Sequence, residues 1–133
     1  MRTILDEILE DVAAELSAAK ARRPSAEIRR MVADAPPPRD FAAALAGGFR
    51  LIAEVKERSP SVGAMRERNV AEAPAAYRES GIVAAVSVLT NATHFGMSVE
   101  RLGAVAAVVG KPVLRKDFIV DEYMVREARA FGA

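Results

Sequence analysis

Cysteine is absent from this 133-residue chain. That absence excludes disulfides, zinc–thiolate sites and a cysteine nucleophile, and it is typical of a cytoplasmic protein. Histidine occurs once, as His94, with no cluster of acids beside it in the sequence. We therefore expect His94 to be a solvated loop residue, and we expect no metal site.

Neither sign of charge is in excess, because 19 lysines and arginines stand against 18 aspartates and glutamates, for a net charge of +1. This balance predicts no nucleic-acid-binding surface. Long apolar runs are also missing, so we expect no membrane-spanning helix, and Asp6 stands too early for a signal peptide. The expected protein is cytoplasmic, with neither nucleic acid nor a membrane as its partner.

The residues that are present, 51% hydrophobic and 28% charged, suit one folded domain with a real core. Up to about residue 46 the apolar residues recur at helical spacing, as they do between Ile4 and Leu16. A proline run at 36–38 and the glycine pair at 47–48 interrupt this pattern. Residues 1–48 are therefore predicted to form an N-terminal helical extension.

The rest of the chain alternates between strand and helix patterns. Short apolar strands are predicted at 51–56, 84–89 and 112–116, and helices at 70–80, 98–109 and 121–130. Three strands that are each followed by a helix indicate parallel βα units, and thus an α/β fold for residues 49–133. Their spacing of about thirty residues fits either a (β/α) barrel or a doubly wound sheet.

The first predicted strand carries an acid and a base on one face, because side chains alternate along a strand and Glu54 and Lys56 are two residues apart. Charges at the end of an apolar strand must be paired or functional. Lys116 ends the third strand, so in a shared sheet it converges with Glu54 and Lys56. Lys116 then suits the role of a general acid, and Glu54 holds it in position. A structural ion-pair network fits this spacing equally well.

Two further features follow strand ends. The turn Ser59-Pro60-Ser61 offers hydroxyls and backbone N–H groups that bind a phosphate or a carboxylate, and an ordinary turn is the alternative interpretation. Phe95 and Phe118 come soon after the second and third strands. They either line an aromatic pocket or cap the core, and their positions alone favour the core.

Four motifs carry a family resemblance: Ile-Leu-Asp-Glu-Ile at 4–8, Leu-Ile-Ala-Glu-Val-Lys-Glu-Arg-Ser-Pro-Ser at 51–61, Ala-Val-Ser-Val-Leu-Thr at 85–90, and Pro-Val-Leu-Arg-Lys-Asp-Phe-Ile-Val-Asp-Glu-Tyr at 112–123. With them the chain resembles the indole-3-glycerol-phosphate synthase family. The resemblance implies a TIM (β/α)8 barrel, of which this chain holds the helical extension and the first three βα units. It also implies ring closure, decarboxylation and dehydration of 1-(2-carboxyphenylamino)-1-deoxyribulose 5-phosphate in tryptophan biosynthesis, with no cofactor or metal.

The resemblance implies a catalytic role for each of the three strand-end charges. Lys116 resembles the general acid that protonates the substrate carbonyl. Glu54 resembles the acid that orients this lysine and assists proton transfer, and Lys56 resembles the cation that meets the substrate carboxylate.

The resemblance also implies binding roles for a phosphorylated small-molecule substrate. The loop of Ser59, Pro60 and Ser61 resembles the segment that helps to hold the phosphate end. Phe95 and Phe118 resemble aromatic residues that pack on the anthranilate ring.

The length of the chain limits what the resemblance implies, because a complete barrel takes about 250 residues. We expect the partner general base, a glutamate on the fourth strand, and most of the phosphate-binding loops to lie outside these 133 residues. The chain alone is therefore expected to be inactive. The alternative is a catalytically silent half-barrel, which self-associates through its open edges or complements another barrel half.

Overall fold

Three helices form the first part of the computed structural model, which describes residues 1–65 and 69–133. They are α1 (Ile4–Arg22), α2 (Ser25–Asp34) and α3 (Phe41–Leu45). A capping box begins α1, because Thr3 and Asp6 each accept a hydrogen bond from the other's backbone N–H. These helices agree with the helical character predicted for the first 46 residues.

Strands and helices alternate in the second part. They are β1 (Leu51–Val55), β2 (Arg58–Ser59), β3 (Gly63–Ala64), α4 (Asn69–Glu79), β4 (Val83–Leu89), α5 (Ala92–Phe95), α6 (Val99–Val109), β5 (Val113–Lys116) and α7 (Glu122–Ala130). Each predicted strand and helix is confirmed to within one residue at either end. Ser98 caps the start of α6 through its side chain, and Gly110 ends it with a φ of 64°, in the left-handed region that favours glycine.

The sheet contains the strands β1, β4 and β5, all parallel and in that order. The register places Glu54 beside Ser87, and Leu89 beside Lys116. Side chains alternate along each strand, so these four residues share one face of the sheet. The α/β fold class with a parallel sheet is therefore observed.

Two short elements were not predicted. The segment after β1 folds back as the antiparallel pair β2 and β3, where a simple turn was expected. The loop after β4 contains α5, which is capped by a hydrogen bond from the His94 N–H to the Asn91 side chain. Elements of two to four residues are too short to show a hydrophobic period, so the sequence pattern gives no sign of them.

The main core lies between the sheet and α6. Its fully buried members alternate along β4 and recur along α6, as Val86 and Val88 do on the strand and Leu102, Val105 and Val109 on the helix. These valines face away from Glu54 and Ser87. Burial of such side chains contributes roughly 1.5–3 kcal/mol each relative to exposure, so this face fixes the register of the sheet.

The N-terminal helices dock on α7 through two smaller clusters. Ile8 and Val12 of α1 pack on Met124, whereas Ile28 of α2 packs on Tyr123. The Tyr123 hydroxyl also lies 2.8 Å from the Arg23 carbonyl oxygen, within hydrogen-bond distance. The helical segment is thus attached to the βα part by apolar and polar contacts together.

The other face of the sheet and its two outer strands are open. Ile52 on β1 and Leu114 on β5 are 46% and 45% exposed, although both belong to apolar strands. Ile119, Val120 and Val125, which follow β5, are also exposed. Within residues 1–65 and 69–133, no helix is long and apolar enough to cross a membrane.

Candidate active site

Glu54, Lys56 and Lys116 meet at the carboxyl ends of β1 and β5. The Lys56 Nζ lies 2.5 Å from the Glu54 Oε1, and the Lys116 Nζ lies 3.6 Å from the Glu54 Oε2. Each oxygen of the carboxylate therefore faces a different ammonium group. The convergence of these three side chains, expected from alternation along the strands, is observed.

Parallel pairing explains how residues from β1 and β5 reach each other across β4. Ser87 lies beside Glu54 in the register, and Leu114 lies beside Ser87 on the far side. Serine is small, so the longer side chains of Glu54 and Lys116 can approach above it. The Ser87 hydroxyl is itself buried and finds no hydrogen-bond partner among the described residues.

The Glu54 carboxyl is ionised in this setting. Burial by itself raises the pKa of Glu54, but the hydrogen bond and charge of Lys56, helped by Lys116, outweigh it and hold the pKa below its usual range. The two lysines differ in access to water, because the side chain of Lys56 is 29% exposed and that of Lys116 is 55% exposed. Lys116 is thus the more accessible of the two ammonium groups.

The turn Ser59-Pro60-Ser61 joins β2 to β3. The Ser59 Oγ accepts a hydrogen bond of 3.2 Å from the Val62 N–H and lies 3.4 Å from the Ser61 Oγ. Such a serine turn is ordinary local structure. Pro60 and Ser61 are exposed, so the outer part of the turn is open to a ligand.

Phe95 and Phe118 have different surroundings. Phe95 ends α5, is partly buried and packs against the main core. Phe118, two residues beyond Lys116, is 41% exposed. Phe95 therefore has a core contact, while Phe118 presents much of its ring to solvent.

His94 is not the solvated residue that the sequence suggested. Its side chain is only 14% exposed, and its Nε2 lies 2.9 Å from an oxygen of Asp11 on α1. The expectation was wrong because the acid lies 83 positions earlier in the chain, where no local pattern reveals it. The helix α1 thereby contacts the loop after β4 that also carries Phe95.

Glu15 supplies a second contact from α1 to the same loop, and no local sequence pattern indicates it. Its carboxylate accepts hydrogen bonds from the Ala92 N–H at 2.9 Å and from the Asn91 side chain at 3.2 Å. Burial raises the pKa of Glu15, against the lowering effect of the Ala92 hydrogen bond. Asp11 and Glu15 lie one helical turn apart, so both carboxylates reach the loop from one side of α1.

The chain is similar to proteins of one known family. The model of the family described as indole-3-glycerol phosphate synthase matches residues 5–133. The chain belongs to the indole-3-glycerol phosphate synthase family. The segments that carry Glu54, Lys56 and Lys116 lie inside the matched region.

Proteins named indole-3-glycerol phosphate synthase are similar to almost all of this chain. The protein of Micrococcus luteus is 47% identical over an alignment of 137 residues, gaps included, and the alignment covers 98% of the chain and 51% of that protein. Those of Mycolicibacterium gilvum and Mycobacterium tuberculosis are 49% and 47% identical, again over 98% of the chain and 48% of each protein. The chain thus spans about half the length of these synthase relatives.

Proposed function

We propose that this chain supplies the acid side of an indole-3-glycerol phosphate synthase active site. The reaction closes the ring of 1-(2-carboxyphenylamino)-1-deoxyribulose 5-phosphate, releases carbon dioxide and water, and yields indole-3-glycerol phosphate. The observation that carries the proposal is the meeting of Glu54, Lys56 and Lys116 at one strand-end rim, in a chain of this family. The rim at the carboxyl ends of parallel strands is where barrel enzymes hold their chemistry.

Lys116 acts as the general acid in this proposal. Its ammonium group donates a proton to the substrate carbonyl oxygen, which makes the carbonyl carbon electrophilic enough for attack by the aromatic ring. Glu54 holds the ammonium at 3.6 Å without neutralising it by a close hydrogen bond. A positioned general acid contributes typically 10²–10⁴-fold to a rate.

Lys56 binds the substrate carboxylate that later leaves as carbon dioxide. It is held more closely by Glu54 than Lys116 is, at 2.5 Å, which fixes the direction of its remaining N–H donors. The exposed part of the turn at 59–61 takes the phosphate end, and the exposed ring of Phe118 packs on the anthranilate ring. Phe95 supports the same ring from its position against the core.

The open face of the sheet supports a partial barrel. We propose that β1, β4 and β5 are three neighbouring strands of a (β/α)8 barrel and that α1 to α3 form its N-terminal extension. In a closed barrel Ile52 and Leu114 are covered by the strands opposite, whereas here they are about half exposed. The remaining strands must then be supplied by further polypeptide.

The reaction also needs a base on the other side of the substrate. Among the described residues, the acid that directly follows β5 is Asp117, and its side chain is 2% exposed and contacts Arg115 and Thr90 on the opposite face of the sheet from Lys116. Glu54 is already engaged with two lysines. We therefore propose that residues 1–133 alone do not turn over the substrate.

The test is complementation. The 133-residue chain is assayed for indole-3-glycerol phosphate formation alone, and then with the part of the Micrococcus luteus relative that it does not match. We expect no turnover alone and measurable turnover with the added half. Complemented protein in which Lys116→Ala leaves turnover unchanged would contradict the assignment of Lys116.

A second candidate is a catalytically silent half-barrel that self-associates. The observation that favours it is the exposed apolar surface on and after β5, where Leu114 on the strand, Ile119 after it and Val125 on α7 are open to solvent. We expect concentration-dependent dimers or larger species in sedimentation velocity. A stable, well-folded monomer at high micromolar concentration would contradict it.

A further inference from the structure

Lys116 stands between two residues that are held far more tightly than it is. The side chains of Arg115 and Asp117 are 9% and 2% exposed, whereas that of Lys116 is 55% exposed. Alternation along β5 turns the two neighbours to one face and Lys116 to the other. The backbone that carries Lys116 is therefore held by contacts on the opposite face of the sheet.

Arg115 makes four contacts on that hidden face. Its Nε donates to the Thr90 Oγ1 at 2.9 Å, and its Nη1 donates to the Met124 carbonyl at 3.0 Å. The Nη1 also reaches the Glu127 Oε2 at 2.9 Å, and the Nη2 lies 3.6 Å from the Asp117 Oδ2. The Thr90 hydroxyl in turn donates a short hydrogen bond to Asp117.

We call Thr90, Arg115, Asp117 and Glu127 the anchor network. It joins three elements, since Thr90 follows the end of β4, Arg115 and Asp117 lie at the end of β5, and Glu127 lies on α7. Leu89 pairs with Lys116 in the sheet. Thr90, one residue beyond that pair, joins the two strand ends through its hydrogen bonds with Arg115 and Asp117. The network thus fixes the spacing of the strand ends that carry the site.

The anchor network is a costly way to pack a core. Well-packed apolar residues in place of a buried ion cluster are often neutral or stabilising by about 1–4 kcal/mol. Glu127 is 3% exposed, and its Oε1 has no hydrogen-bond partner among the described residues. Hydrogen bonds between charged groups are directional, whereas apolar contacts are not, so the network favours one arrangement of the strand ends.

From this geometry we propose that Thr90 and Asp117 are positioning residues, which set the place of Lys116 relative to Glu54 through Arg115. The proposal rests on the proposed function for its consequence in catalysis, but not for the geometry itself. A displacement of about 1 Å at a reacting group can cost 10²-fold in rate. Loss of the anchor network should therefore weaken turnover even though none of its members touches the substrate.

The direct readout is the Glu54 carboxyl, which senses how near Lys116 stands. Its pKa is measured by carbon NMR titration in the 133-residue chain, with Lys116→Met defining the effect of losing the ammonium altogether. Thr90→Val removes the hydroxyl that bridges Arg115 and Asp117 at nearly constant shape, and Thr90→Ser keeps it. Asp117→Asn is the second test of the network.

We expect Thr90→Val and Asp117→Asn to raise the pKa of Glu54 by a large part of the change that Lys116→Met produces. Thr90→Ser should restore the wild-type value. Lys111→Met serves as a control for general destabilisation, because Lys111 bonds to backbone carbonyls near the opposite ends of the strands. That control should leave the titration of Glu54 unchanged.

In the complemented enzyme the same two variants should lower kcat by about 10-fold or more, with a smaller change in KM. Unchanged Glu54 titration in folded Thr90→Val and Asp117→Asn proteins would overturn the proposal. Loss of the folded state in both would overturn it too, because the network would then be a requirement of folding. Failure of complementation alone contradicts only the proposed function, since the titration is read on the chain by itself.

Discussion

Two clusters of charge lie back to back on β5, and they differ in how much water reaches them. The anchor network around Arg115 is nearly dry, with its ionic side chains 2% to 9% exposed. The candidate active site around Glu54 lies on the other face, with side chains 29% to 55% exposed. Neighbouring residues of β5 point to opposite faces of the sheet, so a step of one residue along the strand leads from one environment to the other.

The difference shows what each cluster can do. The buried ions are held by partners within the fold, so their geometry is constrained and little of their charge faces a ligand. The lysines of the candidate site are paired on one side only and keep donors directed to solvent. The fold thus places a rigid cluster behind an open one, and strand alternation alone produces the division.

The largest expected effect comes from removing the exposed ammonium group of Lys116. In the complemented enzyme, Lys116→Ala should lower kcat by about 10²–10⁴-fold, because it deletes the general acid. Lys56→Ala should chiefly raise KM, since Lys56 binds the carboxylate. Steady-state kinetics of both variants check this split, and equal losses in kcat for the two would argue against distinct roles.

Breaking the buried cluster should affect folding more than any exposed charge does. Arg115→Met leaves Asp117 and Glu127 without their cation, and removal of one partner from a buried ion pair costs about 3–5 kcal/mol of unfolding free energy. Urea denaturation measures that loss. Arg2→Met is the matched control, because Arg2 is 59% exposed and its ion pair with Glu10 is worth little.

A third variant tests whether a partly buried charge stabilises the fold through bonds to backbone carbonyls. The Lys111 Nζ lies 2.6 Å from each of the carbonyl oxygens of Tyr77, Ser80 and Val83, and so joins the end of α4 to the start of β4. Lys111→Met should lower the unfolding free energy by about 1.5–3 kcal/mol, the usual range for hydrogen bonds to a charged group. A loss below about 0.5 kcal/mol would show that water replaces the ammonium at these carbonyls.

The sequence predicted the parts of the fold that depend on local period. Apolar runs located the strands within one residue, and Ser98 and Gly110 marked the two ends of α6. The same alternation along β1 and β5 was enough to bring Glu54, Lys56 and Lys116 together. Such predictions succeed because the strand period and the helix caps act over a few residues.

The contacts that the sequence missed are those between distant segments. Asp11 and Glu15 reach the loop after β4, and Arg115 meets Glu127 on the next helix. Each pairing depends on how α1 and α7 dock, which no local pattern specifies. Alternation along β5 turns Arg115 and Asp117 away from Lys116, but alternation does not specify which residues they contact.

The smallest expected effect is a difference in pH dependence between two glutamates. The pKa of Glu54 is lowered in the folded chain, so its contribution to stability is present above the unfolded-state pKa and is lost as the pH falls through the folded value. The pKa of Glu15 is raised chiefly by burial, so the folded chain gains stability from it as the pH falls through that raised value.

The stability lost by Glu54→Gln relative to the wild type should therefore shrink as the pH falls below the usual pKa range of carboxyl groups. For Glu15→Gln, the stability of the wild type relative to the variant should instead rise as the pH falls, at pH values above the usual pKa range of carboxyl groups. Urea midpoints of the wild type and both variants from pH 3 to pH 7 measure the two differences, and parallel curves for all three proteins would contradict both assignments.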